Sequence, residues 1–134
     1  MDSKYAGKKL LISVSFAGFS EYMSGQRPTA GRTFLSLGIG AMNTSAKPLF
    51  VNPNDFTLRD SQGETVAYDE STYSSYQPFP AEALKPGESA NGGLVFQVKR
   101  GAKYVLTRRD IATGEVETIT LVLVREGSAA RTSR

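Results

Sequence analysis

Leu10, Ile12, Val14 and Phe16 alternate with Leu11, Ser13 and Ser15, and this period of two recurs in nearly every apolar segment of the chain. Successive side chains of an extended strand point to opposite faces, so each segment presents one apolar face and one of different character. The same alternation sets Leu35, Leu37, Ile39 and Ala41 against Ser36, Gly38 and Gly40. It sets Leu94, Phe96 and Val98 against Val95 and Gln97, and Ile119, Leu121 and Leu123 against Thr118, Thr120 and Val122. Shorter extended pieces fall at 49–51, 56–60, 65–68 and 104–108. Between them lie turn-forming runs: MSGQRPTAG, NTSAKP, SQG, LKPGES, KRGAK and ATGE. No segment carries a helical stripe, and residues 81–84 allow one turn at most. The pattern predicts an all-β fold, an antiparallel sandwich of about seven to nine strands. Gly38 and Gly40, on the second face of their strand, predict close approach by another backbone or an aromatic ring.

A chain of 134 residues suits one domain, 1–134, with ends near 1–7 and 126–134 expected to fray. That size buries enough surface to fold without a metal or disulfide. There is no cysteine and no histidine. Thiolate chemistry, the Ser-His and Cys-His arrangements, and the commonest zinc ligand are therefore excluded. No apolar run approaches the ~20 residues of a membrane-spanning helix. LLISVSFAGF is short and broken by serines, so it does not read as a signal peptide.

Net charge is +3, unevenly distributed. Residues 52–90 hold seven acids and two bases, so the remainder carries +8. A basic surface of this kind can attract nucleic acid or anionic lipid; the simpler reading is a solvated skin. Lys99, Arg100, Lys103, Arg108 and Arg109 surround Tyr104, but Arg108 and Arg109 point to opposite faces of a strand. No nucleic-acid partner is expected.

The run GRTFLSLGIGAMNTSAKPLFVNPNDFTLRDSQGETVAYD, followed by ALKPGESANGGLVFQVKRGAKYVL, resembles a bacterial family of telokin-like immunoglobulin-fold domains of unknown function. The matching elements are Gly31, Asn43 to Ser45, Pro48, Asp55 to Gly63, Leu84 to Glu88 and Gly92 to Phe96. The two runs together span residues 31–106, about 75 residues. The resemblance implies an immunoglobulin-like sandwich that is extracellular or associated with the cell envelope, in the same fold group as a secreted immunogenic antigen. It transfers no catalytic residue. A family of immunoglobulin-like intracellular proteinase inhibitors shares the Asn-x-Ser/Thr and Pro-Gly-Glu elements but lacks the Asp-Phe-x-Leu-x-Asp pattern, and ranks second.

The densest group of potential ligands is NPNDFTLRDSQGE, with Asp55, Asp60 and Glu64. A calcium loop needs oxygen ligands at alternate positions, where this stretch has Phe56 and Leu58. A strand from 56 to 60 also separates Asp55 from Asp60 by ~16 Å. The stretch reads as two turns flanking a strand, with Asp55 in an Asx turn and Gly63 at positive φ; a weak cation site there stays open. GIGAMN lacks the third glycine and the helix of a dinucleotide fingerprint. Ser45 and Lys47 give no reason for a deprotonated lysine. Asn43-Thr44-Ser45 is a formal glycosylation sequon that reads better as an Asx turn.

The best functional candidate is the loop YDESTYSSYQPFP, with Tyr68, Tyr73, Tyr76 and Phe79 among small polar residues. Tyrosine and serine supply contact area at low entropic cost, as in antibody paratopes; alternatively the rings cap one end of the sandwich. The expectation is a non-enzymatic module that binds a protein partner through this loop, with no cofactor and no metal. The alternative is a proteinase inhibitor.

Overall fold

A computed structural model of the chain describes residues 10–23, 25–74, 77–110, 114–123 and 130–133, with 73, 74 and 130–133 described by backbone only. Ten strands follow in order: β1 (Leu10–Ser20), β2 (Thr33–Asn43), β3 (Leu49–Val51), β4 (Phe56–Arg59), β5 (Thr65–Ala67), β6 (Glu82–Leu84), β7 (Ser89–Val98), β8 (Lys103–Arg109), β9 (Val116–Leu123) and β10 (Ala130–Ser133). A three-stranded sheet has the order β1-β2-β7, and a five-stranded sheet the order β10-β9-β8-β4-β5. A two-stranded sheet joins β3 to β6. All these pairings are antiparallel. The all-β antiparallel sandwich read from the alternation is the fold.

The core lies between the inward faces. Leu35, Leu37, Ile39, Leu94 and Phe96 from the smaller of the two main sheets join Phe56, Leu58, Tyr104, Leu106, Ile119 and Leu121 from the larger, all buried. Val51 and Leu84 of the two-stranded sheet enter the same cluster. The Tyr104 hydroxyl, buried at one margin, donates to the Lys99 carbonyl at 2.7 Å, which meets the polar need of a core tyrosine.

Three local expectations change. Residues 82–84 are strand β6, not a helical turn: Leu49 pairs with Leu84 and Val51 with Glu82. Residues 130–133, expected to fray, form β10 against β9. Phe16 leaves the inward row, because the β1–β2 register shifts between Val14 and Phe16. A bulge of this kind adds one residue and reverses the side-chain phase beyond it. Ala17 is then buried, and Phe19 packs against the core.

Two motifs that lie far apart in sequence meet at Asn43, which is 0% exposed. Its Nδ2 donates to the carbonyls of Lys47 and Leu84, both at 2.8 Å. Its Oδ1 accepts from Ser45 N at 2.9 Å and Ser45 Oγ at 2.8 Å. Its backbone exchanges hydrogen bonds with Glu88 and Gly87 of the Pro-Gly-Glu turn. The Asx turn is present, and the buried, engaged amide cannot accept a glycan in the folded protein. Asn43→Ala is expected to cost about 2–4 kcal/mol, because buried backbone groups lose their partners. Urea denaturation measures this, and a loss below about 0.5 kcal/mol, the usual range of surface changes, would contradict the role.

Candidate functional site

The acidic stretch that invited a cation resolves into two structural devices. Asn52, not Asp55, closes the turn after Pro53, its Oδ1 accepting from Asn54 N at 2.8 Å. Asp60 Oδ1 accepts from Gln62 N and Glu64 N, both at 2.9 Å. Gly63 completes that turn at φ 91°. Asp55 faces elsewhere, toward the guanidinium of Arg108, which is only 3% exposed. Arg108 Nη2 lies 3.7 Å from Asp55 Oδ2. Its Nη1 lies 3.7 Å from Asp110 Oδ2 and 3.5 Å from Glu117 Oε1. One buried cation thus sits among three carboxylates. Burial pushes the Asp55 carboxyl above its ordinary pKa, with Arg108 opposing that rise. Among the described residues no group of three or more acids is arranged to hold a metal ion. This cluster locks the turn after Pro53 onto β8 and β9.

The tyrosine loop proves to be an edge cover. Its residues 69–72 and 77–79 run along β7, whose outer edge would otherwise be unpaired. Asp69 N donates to the Val95 carbonyl at 2.6 Å and Gly93 N to the Gln77 carbonyl at 2.7 Å. Phe79 N returns a bond to the Gly93 carbonyl at 2.9 Å. Thr72 Oγ1 accepts from Val95 N at 2.8 Å. Asp69 accepts from Gln97 Nε2 and from Ser71 N. Burial pushes the Asp69 pKa up, but the bonds from Ser71 and Gln97 outweigh it and hold the carboxyl below its ordinary value.

The four predicted contact residues therefore separate. Phe79 is 1% exposed and packs edge-on against Phe56, ring centroids 5.4 Å apart. It is a core residue, corrected from a surface role, because its segment must press against Gly92 to pair with β7. Tyr68 is half-buried against the core. The side chain of Tyr73, and Tyr76 altogether, lie outside the described residues.

Beside this loop, on the outer face of the three-stranded sheet, is an open groove of about 330 Å³. Ser15, Phe16, Ser36, Gly38, Gln77 and Asn91 contribute to its lining. Gly38 lies opposite Gly93 on β7 and Phe16 on β1, so the floor is backbone. The bulge places Phe16 there, the residue 52% exposed. A Cβ added at Gly38 would meet Ser15 Oγ at 2.9 Å and Phe16 Cβ at 3.4 Å, so the space is tight, but the nearest neighbour is a serine hydroxyl rather than the backbone or aromatic ring expected. Alternation alone placed Phe16 in the core. The available signal was the slip in phase, with Ala17 and Phe19 resuming the apolar row one residue late.

The basic residues around Tyr104 separate in the same way. Arg108 is buried, and Arg100 stacks on Phe19 with its guanidinium carbon 4.3 Å from the ring centroid while pairing with Glu21. Lys103 and Arg109 point outward from the five-stranded sheet.

The fold recurs in solved bacterial proteins. A candidate lipoprotein of Bacillus subtilis superposes with a TM-score of 0.72 at 19% identity, covering 84% of this chain and 36% of that one. The chain thus spans about a third of that protein's length. The yjhA protein of Bacillus subtilis gives 0.63 at 16% identity, covering 82% of this chain and 89% of that one. A conserved hypothetical protein of Bacillus anthracis gives 0.52 at 17%, covering 92% and 89%. At such identities the likeness is one of fold. No curated protein is significantly similar in sequence. The sequence profile of the domain of unknown function DUF4352 matches residues 8–117, which take in strands β1 to β8 and both of the motifs that meet at Asn43, and the chain belongs to that family.

Proposed function

We propose that the domain is a non-catalytic, immunoglobulin-like interaction module, exported or held at the cell envelope. It binds a protein partner along the groove between Phe16 and the loop over residues 68–80. The observation that supports this most is Phe16: a bulge turns a large ring out of the core and lays it beside a bare glycine floor. Exposed rings with polar neighbours such as Gln77 and Asn91 make the kind of anchor on which interfaces depend. The likeness to a candidate lipoprotein supports the envelope placement. The loop's contribution comes from its exposed residues, Gln77 among those described, and not from Phe79.

The test is site-specific photo-crosslinking in the source cell. A photoreactive residue at Phe16 or Gln77 is expected to give one discrete protein adduct. The same residue at Phe50, equally exposed on β3, is expected to give none. Phe16→Ser should abolish capture at Gln77 while changing stability by about 1 kcal/mol or less. Equal labelling at Phe50, or capture that survives Phe16→Ser, rejects the groove as the interface.

A further inference from the structure

The outer face of the five-stranded sheet has a character of its own. Its outward positions are Thr65 and Ala67 on β5, Thr57 and Arg59 on β4, Lys103, Val105, Thr107 and Arg109 on β8, and Val116, Thr118, Thr120 and Val122 on β9. Threonines line up across the strands, Thr57 opposite Thr107 and Thr107 opposite Thr118. No outward position carries a carboxylate or an aromatic ring. The one acid on the inward side of β9, Glu117, is held at Arg108. Arg59, Lys103 and Arg109 are exposed, and none forms a salt bridge among the described residues. On β10 the backbone register sets position 131, an arginine, opposite Val122.

Spacing indicates what such a face suits. Arg59 lies opposite Val105, so Lys103, two residues along β8, is its diagonal neighbour at about 7–8 Å. Arg109 is six residues from Lys103, about 20 Å along the strand. One small anion cannot span that distance; an extended layer of phosphates can. An open groove of about 410 Å³ at the Arg59–Lys103 end adds Ser61, Thr120 and the Gly63 backbone. Asp60 also borders it, with Oδ1 engaged by two backbone amides. Tyr104 also borders this groove but is turned inward and buried, so no outward ring offers the stacking that single-stranded nucleic acid requires. Half-exposed Val116 and Val122 among threonines suit the headgroup zone of a bilayer.

From this we infer that the five-stranded face docks on an anionic phospholipid membrane, with Arg59, Lys103 and Arg109 contacting headgroup phosphates. The inference is independent of the partner groove, which occupies the outer face of the other sheet. A domain lying on the membrane by one face would present Phe16 and its groove away from the lipid.

Co-sedimentation with vesicles tests it. The protein is expected to pellet with vesicles containing about one-third phosphatidylglycerol, to stay in solution with pure phosphatidylcholine, and to be released as salt rises toward about 0.5 M. Each cation near an anionic surface strengthens partitioning roughly fivefold, so reversing Arg59, Lys103 and Arg109 together to Glu should weaken it at least about a hundredfold. The control reverses Lys47, Lys85 and Lys99, exposed cations elsewhere, and carries the same net charge; it should retain most of the binding. Equal loss in the two triple variants, matched for thermal midpoint, would mean that net charge alone acts and would overturn the inference. So would binding to soluble polyphosphate with no binding to the anionic vesicles.

Discussion

Arg108→Met is expected to destabilise the fold by about 3–5 kcal/mol, the cost of stranding buried charges when their partner is removed. Against a typical domain stability of about 5–15 kcal/mol, this leaves a marginal protein at neutral pH. The substitution keeps most of the side-chain volume, so the loss reports electrostatics: Asp55, Asp110 and Glu117 would share a buried space without the guanidinium they now face. Asp55→Asn should act oppositely. Burial raises the Asp55 pKa, so the folded state holds that proton more tightly than the unfolded chain does. The associated stability is full below the ordinary carboxylate range and is lost as pH rises through the folded value. At pH 7 the charged Asp55 is thus a burden that Asn relieves, and the variant should unfold at equal or higher urea than the wild type. The two should converge as pH falls below about 4. Urea titrations of both variants from acid to neutral pH decide the matter. An Arg108→Met protein as stable as wild type at pH 7 would show that the cluster is not held by its charge.

The second large effect is expected at Gly92. A Cβ there would lie 2.5 Å from the backbone N and Cα of Phe79 and 2.6 Å from the Pro78 carbonyl carbon. These are backbone atoms, with no flexible end to swing aside. Gly92→Ala must therefore push the Gln77–Phe79 segment off β7 and draw the Phe79 ring away from Phe56. Overpacking together with loss of a buried phenyl group should cost about 3 kcal/mol or more. Hydrogen exchange locates the damage: the Gly93 amide, now bonded to Gln77, should lose protection while the β8–β9 ladder keeps most of its own. Full protection at Gly93 in a stable Gly92→Ala protein would contradict this account. The pair Gly92→Ala and Phe16→Ser also separates two roles on the two outer strands of the three-stranded sheet, β7 and β1, since one disturbs the edge cover and the other only the groove.

Much of this was legible in particular residues. Alternation through Leu35–Ala41 and Ile119–Leu123 identified the inward rows, because burial on one face of a strand needs a strict period of two. Gly63 and Asp60 announced their turn through conformations and hydrogen bonds made within a few residues. Asn43 announced its Asx turn in the same way, but not its bonds to Leu84 and Glu88, which lie more than forty residues away. Phe16 was misplaced because a bulge depends on the partner strand. The apolar row does resume at Ala17 in the new phase, yet only pairing with β2 shows which residue is extra. Phe79 was misplaced because its loop composition, Tyr and Ser with two prolines, does not reveal that β7 lacks a neighbour on that side.

The residues alone were enough for most strands and turns and for the absence of thiol and imidazole chemistry, since these follow from local periodicity, local hydrogen bonds and composition; β6 and β10 were not legible, because they form only against β3 and β9. Tertiary structure alone decided which charges meet. It gathered Asp55, Arg108, Asp110 and Glu117 in one buried space, and left Arg59, Lys103 and Arg109 together on an open face. Charge pairing acts through space over a few ångströms, and only the register of β4, β8 and β9 brings these side chains within that range or keeps them outside it.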